Sequence, residues 1–127
     1  MLTHIVVGSN DIAASRIFYD AVFGVLGIGP AVEDAKGRLI YSSDAMLFLV
    51  SKPIDGQPAT PANGGTIGIA VPSPELVDAW HAAGVAHGGM PIEDPPGIRE
   101  NAALKLYLAY LRDPAGNKLC ATHRMAK

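Results

Sequence analysis

The chain has 127 residues, ten of them basic and twelve acidic, for a formal net charge of -2 at pH 7. That is the size of one domain that buries its own core without disulfide or metal staples. The charges are dispersed, so neither nucleic acid nor an anionic membrane is expected as a partner, and no apolar run reaches the roughly 18 residues of a membrane span. Hydrophobic residues at 49% against charged residues at 17% imply a filled core, and the single cysteine, Cys120, fits a reducing, cytoplasmic setting. The start, MLTHIVVGSNDI, lacks the basic-then-apolar pattern of a leader, so a soluble, unprocessed protein is expected.

Residues 2–8 are a β-branched run that predicts a strand, after which Asp11 offers a side-chain oxygen to the free N–H groups of a helix start. Ala14, Ile17, Phe18, Ala21, Val22 and Val25 recur at helical spacing, a stripe that must pack on a sheet, and Gly24 and Gly27 mark its end. Short strands are predicted at 30–33, 38–42 and 46–51, divided by DAKG and SDA turns. Residues 52–64, KPIDGQPATPANG, mix Pro and Gly without a period and read as a surface linker.

The pattern then repeats. A strand is predicted at 66–71, followed by Ser73 as N-cap, Pro74 at the first helical position and Glu75 at the positive end of the helix dipole. Leu76, Val77, Trp80 and Ala83 form the apolar face of this helix. Strands at 90–93, 105–112 and 118–122 complete the second half, with DPAGN at 113–117 as the last hairpin turn. The connection 93–105 holds Pro95 and Pro96 and then runs polar, which suits either a lid beside a cleft or an ordinary surface crossover.

Laying Thr66 on His4 also lays Ile67 on Ile5, Ile69 on Val7 and the cap Ser73 on the cap Asp11. The chain therefore reads as an internal duplication: one domain, 1–127, made of repeats 1–51 and 65–127 joined by the linker. The expected fold class is α+β, two tandem β-α-β-β-β modules whose helix-free sheet faces border a cleft where a ligand would bind.

HIVVGSNDIAASRIFY (4–19) and DPAGNKL (113–119), with the paired modules between them, resemble the vicinal oxygen chelate superfamily. That group contains glyoxalase I, fosfomycin and bleomycin resistance proteins and extradiol dioxygenases, and the resemblance covers essentially the whole chain. It implies the glyoxalase-like fold, a cupped mixed sheet around a cleft, usually completed by dimerisation, so a homodimer is expected. The cleft is built within one chain or shared between two, both arrangements being compatible with the resemblance. It further implies a divalent-metal site with one ligand on the first strand, one on the strand opening the second half and a carboxylate on the last strand. Those positions fall on His4, Thr66 and Cys120.

Of the three, only His4 is an ordinary ligand for a hard divalent ion; a Thr hydroxyl is a poor donor and one thiolate favours softer metals. No metal cofactor is therefore expected, His4 being the one position through which a divalent ion could enter. Cys120 reads as a small buried hydrophobe, not a nucleophile. His81 and His87 fall on different faces of the second helix, and His123 points opposite to Cys120 along a regular strand.

Arg38 and Tyr41 lie in one predicted strand, Tyr107 and Tyr110 in another, and Arg99, Glu100 and Lys105 border the long connection. A pocket so equipped suits an anion or a carbonyl compound. At odd spacing Tyr107 and Tyr110 cannot both face the cleft, and shared parity with Ala109 and Leu111 favours Tyr107. The candidate substrate-binding set is His4, Arg38, Tyr41, Thr66, Arg99, Tyr107 and Cys120, with no catalytic residue assigned. Two functions stay open. One is a glyoxalase-like lyase or isomerase that polarises an oxygen-bearing substrate, with Glu100 or Tyr107 as acid or base. The other is a non-catalytic small-molecule binding or sequestering protein, which needs no metal.

Overall fold

Asp11 and Ser73 open the two helices as their side chains promise. In the computed structural model, which describes residues 1–127, Asp11 Oδ1 accepts the Ala14 N–H at 3.0 Å and Ser73 Oγ that of Leu76 at 3.3 Å. The elements are β1 (His4–Gly8), α1 (Ile12–Val25), β2 (Val32–Glu33), β3 (Leu39–Ser42), β4 (Leu47–Ser51), β5 (Ile67–Ala70), α2 (Pro74–Ala86), β6 (Met90–Glu100), β7 (Lys105–Arg112) and β8 (Lys118–Arg124). The order is β-α-β-β-β twice.

The strands form two four-stranded mixed sheets, β1-β4-β3-β2 and β5-β8-β7-β6. In each, the first strand of the module runs parallel to the last and the remaining pairs are antiparallel. The identical order in both halves makes the duplication visible, and it is the α+β tandem-module architecture that the strand and cap pattern predicts. No helix is long and apolar enough to cross a membrane.

Strand alternation assigns the faces. Ile5 and Val7 of β1, Leu39 and Tyr41 of β3, and Phe48 and Val50 of β4 turn toward α1, where Phe18, Tyr19, Val22 and Phe23 fill the space. The Tyr19 and Phe23 rings stand 5.1 and 5.2 Å from that of Phe48. In the second half Ala109, Leu111, Leu119 and Ala121 meet Val77 and Trp80 of α2. Each large side chain buried here is worth about 1.5–3 kcal/mol. Both sets belong to one cluster because α1 packs on α2. Gly84 permits that approach: a Cβ there would stand 2.2 Å from Leu111 Cδ1 and 3.2 Å from Phe18 Cε1.

The stretches 4–19 and 113–119 meet at a buried polar joint. Tyr19 donates its hydroxyl to Asp113 Oδ2 at 2.5 Å, and Asn117 Nδ2 donates to the same oxygen at 2.8 Å and to the Gly8 carbonyl at 2.9 Å. The Ala115 and Asn117 N–H groups donate to Asp113 Oδ1. Asp113 is only 3% exposed, and a buried carboxylate requires such partners. These residues therefore lock β1, α1 and the β7–β8 turn together across the two halves. Residues 52–64 hold neither helix nor strand; Asn10 and Ala59 exchange two hydrogen bonds that tie this segment to the start of α1.

Residues 93–105 form neither a lid nor an open crossover. β6 continues to Glu100 and turns into β7 at Asn101, whose Oδ1 accepts the N–H groups of Ala103 and Leu104. Pro95 and Pro96 have no N–H to give the ladder. They are passed in a bulge, where the register with β7 jumps between Ile92 and Gly97 and Glu93 takes a φ of 59°, in the left-handed region.

Candidate functional site

Each sheet has one face turned away from the helices. On the first sheet the register sets Val32, Ile40, Leu49 and Val6 in one row across four strands, with Leu47 beside His4 in a neighbouring row. This face is apolar; Val32 is 67%, Val6 52% and Leu47 40% exposed, and Leu49 between them 8%.

The second sheet presents different chemistry. Its rows are Ile92, Tyr110, Cys120 and Gly68, then Gly97, Leu108, Thr122 and Ala70. Cys120 is 5% exposed, with Sγ 3.2 Å from Thr122 Oγ1. Lys118 shares the face of Cys120 by alternation; its ammonium lies 4.8 Å from the Tyr110 ring centroid, a cation–π contact, and pairs with Glu93 of the bulge. Arg99 folds its Nη2 onto the carbonyl oxygens of Asp94 and Pro95, 3.1 Å each. Burial first, and then the neighbouring Cys120 and Glu93, push the Tyr110 phenol above its ordinary pKa against the opposing charge of Arg99. The phenol is thus a proton-bearing donor across the neutral range.

The seven sequence candidates separate accordingly. Thr66, directly before β5, is exposed, and Arg99 and Cys120 belong to the second sheet, while His4 is exposed on the first with Nδ1 2.8 Å from Thr3 Oγ1. Tyr107 corrects the expectation: the side of β7 carrying Ala109 and Leu111 is the buried, helix-facing one, and Tyr107 donates to Asp78 Oδ1 of α2 at 2.8 Å. That bond leads the causes that raise its pKa. Tyr110 is the tyrosine on the helix-free face. Tyr41 is buried toward α1 and donates to Asp20 Oδ1 at 2.7 Å. Burial and this bond raise its pKa. It borders a crevice of about 680 Å³ walled by Ile5, Phe23, Phe48, Ile67 and Ile69. Arg38 donates its Nε to Asp34 Oδ2 at 2.6 Å and lines a separate polar hollow of about 780 Å³ with Lys36 and Lys52 at the start of α1. His123 stands opposite to Cys120, its Nδ1 3.0 Å from the Val71 carbonyl oxygen.

Tyr110, which the parity argument set aside for Tyr107, stands with Lys118 and Glu93, which the sequence reading did not single out. The signal for the first two was present: Lys118 and Cys120 alternate with Leu119, and the same alternation on β7 opposes Tyr110 to Cys120. Glu93 had no such signal, because a bulge arises only from pairing with a partner strand.

No group of three or more His, Cys, Asp or Glu side chains converges within the chain. His4, Thr66 and Cys120 supply one imidazole, one hydroxyl and one thiol, a donor set that does not fit a hard divalent ion.

Residues 1–121 match the family model of the Glyoxalase/Bleomycin resistance protein/Dioxygenase superfamily. The chain is similar in structure to a glyoxalase/bleomycin resistance protein from Albidiferax ferrireducens T118, at 56% identity and TM-score 0.94, covering 98% of this chain and 99% of that one. At lower identity it shares its fold with a glyoxalase-related enzyme from Fulvimarina pelagi (18%, TM-score 0.72, 97% and 87% covered). It likewise shares its fold with a lactoylglutathione lyase from Agrobacterium tumefaciens (22%, TM-score 0.67, 97% and 92% covered). No curated protein matches the chain.

Proposed function

The chain belongs to the Glyoxalase/Bleomycin resistance protein/Dioxygenase superfamily, and from that premise we propose that it binds a small organic molecule on the helix-free face of its second sheet, with no metal held by His4, Thr66 and Cys120. The observation that carries this reading is the gathering of Arg99, Tyr110, Lys118 and Cys120 on one sheet face beside a backbone bulge. Convergent polar groups set among apolar neighbours, here Leu108 and Ile92, are what orients a small ligand. A homodimer belongs to the same proposal: Val32, Val6 and Leu47 are exposed apolar side chains on one sheet face, which a partner would cover.

One observation favours a second reading, a metal-independent lyase or isomerase. Glu93, held at positive φ beside Tyr110 and Lys118, places a carboxylate where no other strand residue supplies one, and strained backbone clusters at functional sites. In the isomerisation of a hydroxy carbonyl compound Glu93 would take the proton from the hydroxyl-bearing carbon and return it to the former carbonyl carbon, while Tyr110 gives its phenol proton to the carbonyl oxygen and regains one from the hydroxyl as that becomes the new carbonyl.

Metal content measured by mass spectrometry on protein without a histidine tag, before and after incubation with Mn²⁺, Ni²⁺, Zn²⁺ or Fe²⁺, tests the metal-free reading. Near-stoichiometric metal that disappears in His4→Ala would overturn it. A fragment screen followed by amide chemical shifts tests the location, which fails if fragments cluster away from β6, β7 and β8.

A further inference from the structure

The helix-free face of the second sheet is far more basic than the chain as a whole. Arg112 pairs across the ladder with Lys118, and Leu106 with both Arg99 and Arg124, so strand alternation puts Arg99, Arg112, Lys118 and Arg124 on the face that carries Tyr110 and Cys120. Only Lys118 has a carboxylate partner, Glu93; the other ion pairs of the chain, Arg16 with Asp20 and Glu33, Arg38 with Asp34, and Lys127 with Glu100, use none of these arginines. Arg99 and Arg112 bond to backbone carbonyls alone. Their positive charge is thereby fixed in place and left uncompensated, in a protein whose net charge is -2.

These cations are not evenly spread. The Arg99 guanidinium is folded back onto the bulge carbonyls, toward the Ile92–Tyr110 row, while the Lys118 ammonium lies over the Tyr110 ring. Lys118 thus covers the Tyr110 ring, Arg99 acts on the phenol as a neighbouring positive charge, and Leu108, 5% exposed, is the apolar residue of the adjoining row. The polar hollow at the start of α1 is mixed in charge: Asp34 pairs with Arg38, and Asp11 and Glu33 line the same hollow as Lys36 and Lys52, with no tyrosine among its walls.

Resting on the small-molecule reading above, we infer that Tyr110, Arg99 and Lys118 form the seat for the carboxylate of a compact organic acid whose apolar body lies against Leu108. The guanidinium and the ammonium supply charge-assisted hydrogen bonds and the phenol a third donor. Glu93 is the internal anion that holds Lys118 until the ligand arrives.

The test is an amide chemical-shift titration of the full chain at low salt, with benzoate and its uncharged counterpart benzamide as probes. Benzoate is expected to shift the Tyr110, Cys120 and Thr122 amides saturably, with benzamide leaving them in place. Arg99→Gln and Lys118→Met should each weaken benzoate about tenfold, the loss of one charge-assisted bond. Lys36→Met, in the other hollow, should leave its Kd unchanged. Glu93→Gln should tighten benzoate, because it removes the competing carboxylate, an outcome that a merely structural role for Glu93 would not produce. Variants that retain dispersed spectra qualify for the comparison. Equal shifts of those amides by benzoate and benzamide would overturn the organic-acid assignment while leaving the small-molecule site standing. Binding of both probes elsewhere, or of neither, would overturn both. Weaker benzoate binding in Glu93→Gln would also refute the seat as described.

Discussion

Replacing Tyr19 by Phe isolates the joint between the two halves. The ring is fully buried among Phe18, Phe23 and Phe48, at centroid distances of 4.9, 5.6 and 5.1 Å, and Phe preserves those contacts. What is lost is one hydroxyl donating at 2.5 Å to a carboxylate that is 3% exposed. Hydrogen bonds to charged groups are worth about 1.5–3 kcal/mol, and Asp113 keeps its three other donors, so we expect a loss of about 2 kcal/mol. For a domain of this length that lowers Tm by about 6–10 °C. Urea denaturation should show a reduced midpoint at unchanged m, since no surface is newly exposed. Burial, then the Asp113 charge, raises the Tyr19 pKa well above its ordinary value. A group whose folded pKa is raised contributes stability that is complete below the unfolded pKa of about 10 and is lost as pH climbs beyond it. The difference between wild type and Tyr19→Phe should therefore narrow above about pH 10. A loss below about 0.5 kcal/mol, or two stability curves that stay parallel through the alkaline range, would refute this account of the joint.

Gly84→Ala should destabilise the protein by about 1–2 kcal/mol by urea denaturation despite the better helix propensity of Ala, because the new methyl meets Leu111 and Phe18 in a filled core. A stabilised variant would show that α1 and α2 are free to separate there. Asn101→Ala should cost about 1 kcal/mol, through loss of the side-chain bonds to Ala103 and Leu104 that turn β6 into β7, and should raise amide exchange at that hairpin first. Tyr107→Phe should change stability by less than about 1 kcal/mol, its bond to Asp78 being exposed, and should leave benzoate affinity intact. Tyr110→Phe should weaken benzoate by about tenfold in the same titration, and the reverse order would mean that the faces of β7 are misassigned.

Much of the fold was legible along the chain because its determinants are local. Asp11 and Ser73 cap helices through their own side-chain oxygens, the DPAGN run turns through the side chain of Asp113, and helical apolar spacing names the residues that α1 buries. The repeated order of these signals gave the tandem modules. The site was less legible. Period-two alternation shows that Tyr107 and Tyr110 point opposite ways, but it does not say which way is inward. Reading Ala109 and Leu111 as cleft residues put Tyr107 on the wrong side; they are the floor on which α2 packs. For Tyr41 alternation offered no choice of face, and its phenol is held by Asp20 of α1.

The sequence by itself thus determined the elements, their caps, the duplication and the inventory of polar groups, all of which follow from interactions within a few residues. Tertiary structure alone decided which side of each strand the helices cover, that Asp94, Pro95 and Pro96 bulge so that Glu93 reaches Lys118, and that Arg99 turns back toward Tyr110. Those outcomes depend on strand register and helix packing between residues distant along the chain, and no local preference encodes them.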